Sequence, residues 1–179
     1  MTNEIIIAGF GGQGIISAGM IIAQAGMSEG RYVTFFPSYG AEMRGGTANC
    51  SVVVSDEEVA SPVVDRPDTL MVMNEPSLIR FEPRVKENGI LFFNQTLIKS
   101  RPKRKDIKIY PVEANLIAEE LGSGRIANMV MLGAFAAVTK TVDLDSLKAA
   151  QRVIFKKADE KMHRLNDQAL ERGYKLING

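Results

Sequence analysis

The chain predicts an α/β fold: a three-layer α/β/α sandwich on a mainly parallel or mixed sheet, with a Rossmann-like glycine turn and a helical C-terminal third. Three observations predict it. The run Ile5-Ile6-Ile7-Ala8 is short, apolar and β-branched, as a buried strand should be. It passes through Gly9-Phe10-Gly11-Gly12-Gln13-Gly14 directly into a helical stretch. Strand-type and helix-type runs then alternate through two-thirds of the chain, the pattern that winds a parallel sheet between helices.

Each element follows in order. Residues 15–27 are rich in Ile, Ala and Met, with neither proline nor charge, and predict a helix largely buried against the sheet. The second strand is Tyr32-Val33-Thr34-Phe35-Phe36, and the polar, glycine-rich stretch 37–46 after it predicts a loop. Residues 47–55 form a strand centred on Val52-Val53-Val54; no helix separates it from the second strand, so an antiparallel neighbour is open. The strand at 69–73 ends at Asn74-Glu75-Pro76, where an asparagine cap and a proline in the first turn start a helix. Runs at 89–93 and 107–112 complete the strands, and from Glu113 the chain turns helical in three or four segments. Asp143 or Asp145 can cap the segment carrying Leu144, Leu147 and Ile154, and Gly173 is placed to end the last helix. Met71, Met73, Met129 and Met131 sit in apolar runs and are assigned to the core. With no repeat, low-complexity tract or linker, residues 1–179 are expected to form a single domain.

Composition narrows the function. Twenty-two basic against 21 acidic residues give a net charge of +1, with no general drive toward nucleic acid or an acidic membrane. No run approaches the length of a membrane span, and no secretory signal precedes the first strand, so a cytoplasmic location is expected. Cys50 is the one cysteine, which excludes an internal disulfide and a cluster held by this chain alone. His163 is the one histidine; in a charged C-terminal helix it is expected to be solvated surface, not a metal ligand or a triad member.

Two segments carry chemical information. The glycine turn matches G-x-G-x-x-G between a strand and a helix, where exposed backbone N–H groups can hold an anion. A dinucleotide site also needs an acid at the end of the second strand, and this chain has Pro37-Ser38-Tyr39 there, with Glu29 ahead of the strand. The turn is therefore open to two readings, a tight connection for close helix–sheet packing or an anion and interface site. The second segment, residues 37–49, joins Ser38, Tyr39, Glu42, Arg44 and Asn49 to three glycines. Glu42 and Arg44 can pair with each other, or Tyr39, Glu42 and Arg44 can face a partner or an anionic ligand. Asn128, in a predicted helix, bonds a neighbouring loop or starts that helix.

Gly9-Phe10-Gly11-Gly12-Gln13-Gly14, followed by Tyr39-Gly40-Ala41-Glu42-Met43-Arg44-Gly45-Gly46, Asn49, Arg125-Ile126-Ala127-Asn128-Met129 and the stretch from Asn166 to Tyr174, resembles the gamma subunit of 2-oxoacid:ferredoxin oxidoreductases over nearly the full length. The resemblance implies a subunit, not a complete enzyme. Alpha and beta subunits would carry thiamine diphosphate and Mg, and [4Fe-4S] clusters, on a ferredoxin-like delta subunit where there is one, would pass electrons to ferredoxin. The complex would oxidatively decarboxylate a 2-oxoacid and capture the acyl group on coenzyme A. This chain lacks the Gly-Asp-Gly and Asn-Asn signature of the thiamine-binding subunit. Met43 and Gly46-Thr47-Ala48-Asn49-Cys50 look closer to the 2-oxoglutarate and branched-chain branches than to the pyruvate branch; indolepyruvate oxidoreductases rank lower.

The resemblance gives ligand or interface roles to Gly11, Gly12, Gln13, Gly14, Ser38, Tyr39, Glu42, Arg44, Asn49 and Asn128, and neither catalytic nor metal-binding residues. The isolated chain, with an apolar interface uncovered, is expected to form homodimers. Lys99, Arg101, Lys103, Arg104 and Lys105, around Pro102, form either a solvated loop or a docking point for acidic ferredoxin or coenzyme A phosphates. The alternative from another class is a self-contained nucleotide- or flavin-binding oxidoreductase built on the glycine turn.

Overall fold

A computed structural model describes residues 1–39 and 46–178. Six strands form one sheet: β1 (Thr2–Phe10), β2 (Tyr32–Tyr39), β3 (Thr47–Ser55), β4 (Thr69–Val72), β5 (Ile90–Asn94) and β6 (Lys108–Val112), in the order β2-β3-β1-β4-β5-β6. β1 pairs parallel with β4, β4 with β5 and β5 with β6, whereas β3 runs antiparallel to both β1 and β2. The sheet is thus mixed, with one reversed strand wedged between two that share a direction. The short span of chain from Tyr39 to Thr47 dictates this, because only an antiparallel neighbour can be reached without a crossover.

Strand alternation divides the core in two. Ile5, Ile7, Val52, Val54, Met71 and Phe92 face one layer, made of α1 (Ile15–Ser28), α3 (Ala114–Glu120), α4 (Ala127–Thr139), α5 (Leu144–Ile154) and α6 (Glu160–Asn178). Ile6, Ala8, Val53, Leu70, Val72 and Leu91 face the other, where α2 (Glu75–Phe81) contributes Leu78 and Phe81 and the connecting loops contribute Val64, Ile98 and Ile107. The second layer is the thinner one and, among the described residues, leaves the β2 edge and the end of β1 exposed. Phe10, Tyr32 and Phe36, on that face by strand parity, are 37%, 50% and 46% exposed.

Asn74 caps α2 as its sequence predicts, its Oδ1 accepting from Ser77 N at 2.9 Å. Asp143 takes the N-cap position of α5 without a side-chain bond to the helix. All four singled-out methionines are core residues.

Three expectations are corrected. The loop after the second strand starts later than its composition suggests: Pro37, Ser38 and Tyr39 remain in β2, in register with Cys50, Asn49 and Ala48. Proline is tolerated because β2 is an edge strand. Gly173 does not end the last helix; α6 runs through it. There it meets α4 so closely that a Cβ on Gly173 would lie 1.9 Å from Val130 O, and one on Gly133 would lie 2.0 Å from Leu170 O. α4 is apolar on nearly every side because it is buried between the sheet and α6.

His163 is buried, not solvated. Its Nδ1 lies 3.0 Å from Gln151 Oε1, which also accepts from Asn166 Nδ2 at 3.1 Å. Since an amide oxygen only accepts, Nδ1 carries the proton in this bond. Gln151 Nε2 in turn donates to Asp167 Oδ1 at 3.1 Å. The polar residues of α6 that looked like a wet face are partly an internal network joining it to α5.

Candidate functional site

The glycine turn lies at the carboxyl end of β1, beside β4. Here the chain leaves β1 toward one edge of the sheet and β4 toward the other, the switch point at which open α/β sheets bind ligands. Gln13 holds the turn together. Its Oε1 accepts from Phe10 N at 2.7 Å, and its Nε2 donates to Met73 O at 3.2 Å, tying the turn to the end of β4. Asn128, in the first turn of α4, donates from Nδ2 to Gly14 O at 3.1 Å while its Oδ1 accepts from Met129 N at 3.0 Å. Asn128 therefore bonds the neighbouring loop, one of the two roles its position allowed.

The glycines have separable reasons. A Cβ on Gly9 would lie 2.6 Å from Gln13 Oε1 and 2.7 Å from Ile15 Cδ1, so Gly9 serves close packing. Gly14 has φ 72° and a would-be Cβ contact of 2.4 Å with Asn128, so it is required twice over. Gly12 has φ 94°, and no described atom lies within 4 Å of its would-be Cβ. Gly11 has neither reason: its φ is not left-handed, and the nearest described atom to its would-be Cβ is Gly46 O at 3.9 Å, ordinary contact. Among the described residues, the fold itself asks for no glycine at position 11.

Gly14 caps α1 in a left-handed conformation with no side chain bonded to the helix end, and no acid sits in the first turn. The opening N–H groups of this fourteen-residue helix have no hydrogen-bond partner among the described residues and sit at its positive dipole end. A cleft of about 260 Å³ opens beside them, lined among others by Gly12, Ser17, Arg125, Asn128, Met162 and Asn166. Arg125 is exposed and makes no ion pair among the described residues. Electrostatically the cleft suits an anion.

The predicted site residues fall into two groups on opposite faces of the sheet. Gly12, Gly14 and Asn128 belong to the α1 cleft. Ser38 and Asn49 are register partners on the other face, continuous with Phe10 and Phe36. The two meet where Gly11 N donates to Gly46 O at 3.0 Å. Tyr39 ends β2 opposite Ala48. Glu42 and Arg44, with the reading of their ion pair, lie outside the described residues. Phe10, Phe36, Ser17 and Asn166 were not singled out from sequence. The even-numbered aromatics of β2 carried the one available signal, since alternation places them opposite Val33 and Phe35, which pack against the core from its margin. Cys50 sits under α1, its Sγ 3.6 Å from Ile15 O, and burial pushes its thiol up to about 12. It is inert packing. Among the described residues there is no cluster of metal-ligating side chains and no helix long and apolar enough to cross a membrane.

Comparison with known proteins adds an independent line. Residues 4–176 match the family described as pyruvate ferredoxin/flavodoxin oxidoreductase. The ketoisovalerate oxidoreductase subunit VorA of Methanothermobacter marburgensis is 45% identical over 171 residues, which are 95% of this chain and 35% of that protein. The chain thus spans about a third of that relative's length. The 2-oxoglutarate synthase subunit KorC of the same organism is 35% identical over 184 residues, covering 99% of this chain and 97% of that one. Among solved structures, a 2-oxoglutarate:ferredoxin oxidoreductase from Magnetococcus marinus with 2-oxoglutarate, coenzyme A and succinyl-CoA bound superposes with a TM-score of 0.90 at 28% identity, over 99% of this chain and 31% of that one. The gamma subunit of a keto/oxoacid ferredoxin oxidoreductase from Geobacter sulfurreducens gives 0.84 at 28% identity, over 98% of each chain.

Proposed function

Since the chain belongs to the pyruvate ferredoxin/flavodoxin oxidoreductase family, we propose that it works as the gamma-type subunit of a 2-oxoacid:ferredoxin oxidoreductase and has no turnover alone. The observation that carries this reading is Gly11, a glycine with room for a side chain among the described residues, in a turn that otherwise spends its glycines on packing and φ. Such a position fits close approach by something outside the described chain, a ligand or a partner backbone.

In this reading the thiamine diphosphate, magnesium and [4Fe-4S] clusters belong to partner subunits. One buried cysteine and no metal-ligating cluster among the described residues do not fit them here. Coenzyme A fits in part. The α1 cleft offers helix N–H groups, the Ser17 hydroxyl and Arg125, a donor set for a phosphate group. Its volume of about 260 Å³ suits one end of a large cofactor, so the rest would lie against a neighbouring subunit. Coenzyme A supplies the thiol that accepts the acyl group. This chain's residues position it: Gln13 and Asn128 hold the turn, and the turn's amides face the anion. Phe10, Phe36, Ser38 and Asn49, on the uncovered sheet face, are proposed as the contact with a partner subunit. The self-contained dinucleotide reading is weaker, because the described end of β2 brings no carboxylate to the cleft.

The test is to purify the native complex containing this chain and assay it with ketoisovalerate, 2-oxoglutarate and pyruvate, with coenzyme A and ferredoxin. Activity in the complex and none in the colourless isolated chain is the expected result. An isolated chain that retains a flavin or reduces an artificial acceptor would overturn the proposal.

A further inference from the structure

The loop between β5 and β6 concentrates charge. Between residues 99 and 108 the chain places Lys99, Arg101, Lys103, Arg104, Lys105 and Lys108 against the single acid Asp106, although its net charge is only +1. Arg104 is committed internally: its guanidinium closes on Asp106, and Nη1 donates to Val85 O at 3.0 Å. Beneath the loop the buried carboxylate of Glu82 accepts the backbone N–H groups of Lys103 and of Arg104, the latter at 2.7 Å. The loop is thereby strapped down by its backbone. The side chains of Arg101, Lys103 and Lys105 stay exposed and form no ion pair among the described residues.

Two apolar grooves flank Arg101. One, of about 340 Å³, runs between the loop and α2 over Leu78, Ile79 and Pro83; Ile79 is 69% exposed. The other, of about 600 Å³, lies against β6 over Phe93, Ile109 and Pro111. A solvated charge run needs neither an anchored backbone nor an exposed isoleucine beside it.

We propose that this strap docks an acidic segment of a partner protein, with its carboxylates on Arg101, Lys103 and Lys105 and apolar side chains in the grooves. Charge complementarity selects the acid, and the groove walls select a polypeptide over a polyphosphate. Glu75 and Glu82 line the first groove beside Arg101 and Lys103, which repels phosphate chains but leaves room for an apolar side chain between them. Arg101 and Lys103 stand two residues apart in a stretch free of turns from 101 to 104, with Arg101 held toward the extended region by Pro102, and Lys105 follows at a bend. The spacing of the first two, roughly 7 Å, matches acids spaced along an extended chain.

The test uses the full chain and a fluorescein-labelled peptide of Glu and Asp with interspersed Leu, followed by anisotropy. Charge reversal, Arg101→Glu with Lys103→Glu, should weaken binding by about tenfold or more. Ile79→Ser should weaken it more modestly, and added salt should weaken it in the wild type. Both variants should keep the thermal midpoint, since none of these side chains is in the core. Equal binding by the charge-reversed chain, or displacement of the peptide by inorganic pyrophosphate with no effect of Ile79→Ser, would overturn the proposal. So would a wild-type dimer in sedimentation that charge reversal dissolves, because the occupant would then be a second copy of the chain.

Discussion

Gly11 and Gly14 stand three residues apart and do different work. Gly14→Ala forces a side chain into a left-handed backbone, at about 1–2 kcal/mol, and into Asn128, so the free chain's midpoint should drop by several degrees. Gly11→Ala should change the free chain's stability by less than ~0.5 kcal/mol, since among the described residues its Cβ meets nothing closer than 3.9 Å. In the reconstituted complex it should nevertheless lower turnover, and unchanged turnover would return the turn to pure packing. Cys50 gives a simpler check: a thiol buried and held near 12 should resist alkylation in the folded chain at neutral pH and react only with unfolding. At this scale the sequence was readable where geometry is local, as at Asn74 and its cap. It misled at His163, whose partner Gln151 arrives from another helix and leaves no trace in neighbouring residues.

The pair α4 and α6 is joined by contact of backbone on backbone. Gly133→Ala should cost about 1–3 kcal/mol or more by overpacking, because the displaced atom is a carbonyl oxygen that cannot rotate away. Urea midpoints of the variant and wild type would measure it. The contact between α5 and α6 should instead depend on pH. Lys148 donates to Glu171 at 2.7 Å, and that bond holds the Glu171 carboxyl below its ordinary value. A depressed carboxyl contributes stability above its unfolded value, near ~4.3, and loses it as the pH falls through the folded one. Glu171→Gln should therefore lower the unfolding free energy at neutral pH by less than ~1 kcal/mol, since the pair is partly exposed, and the difference, read from urea midpoints across pH, should vanish in acid. Helix existence was legible in the apolar periodicity. The passage of α6 through Gly173 was not, because a glycine that ends a helix and one that admits a neighbour are the same letter.

Across the whole molecule, uneven coverage of the sheet is the feature with the widest effect. Phe36→Asp should leave the isolated chain folded, within ~0.5 kcal/mol, because the ring is half exposed. If the uncovered face is a subunit contact, the variant should fail to co-purify with the complex, and normal co-purification would remove that role. The fold class and the mixed sheet followed from the run of strands and the missing helix between β2 and β3. The strand order did not, since it is set by which faces two distant segments bury together. The reversed strand also changes the standing of residues 40–45. The strands they link are locked in register from Tyr32 opposite Ser55 to Tyr39 opposite Ala48, so the pairing of β2 with β3 is fixed by the strands and not by the segment that links them. A segment that links two paired strands can be exchanged as a cassette, because altering its length adds only a small closure entropy and leaves the register of both strands intact. Grafting the corresponding segment of a pyruvate-type relative should yield a chain that folds as before, with any change of substrate preference confined to the assembled enzyme.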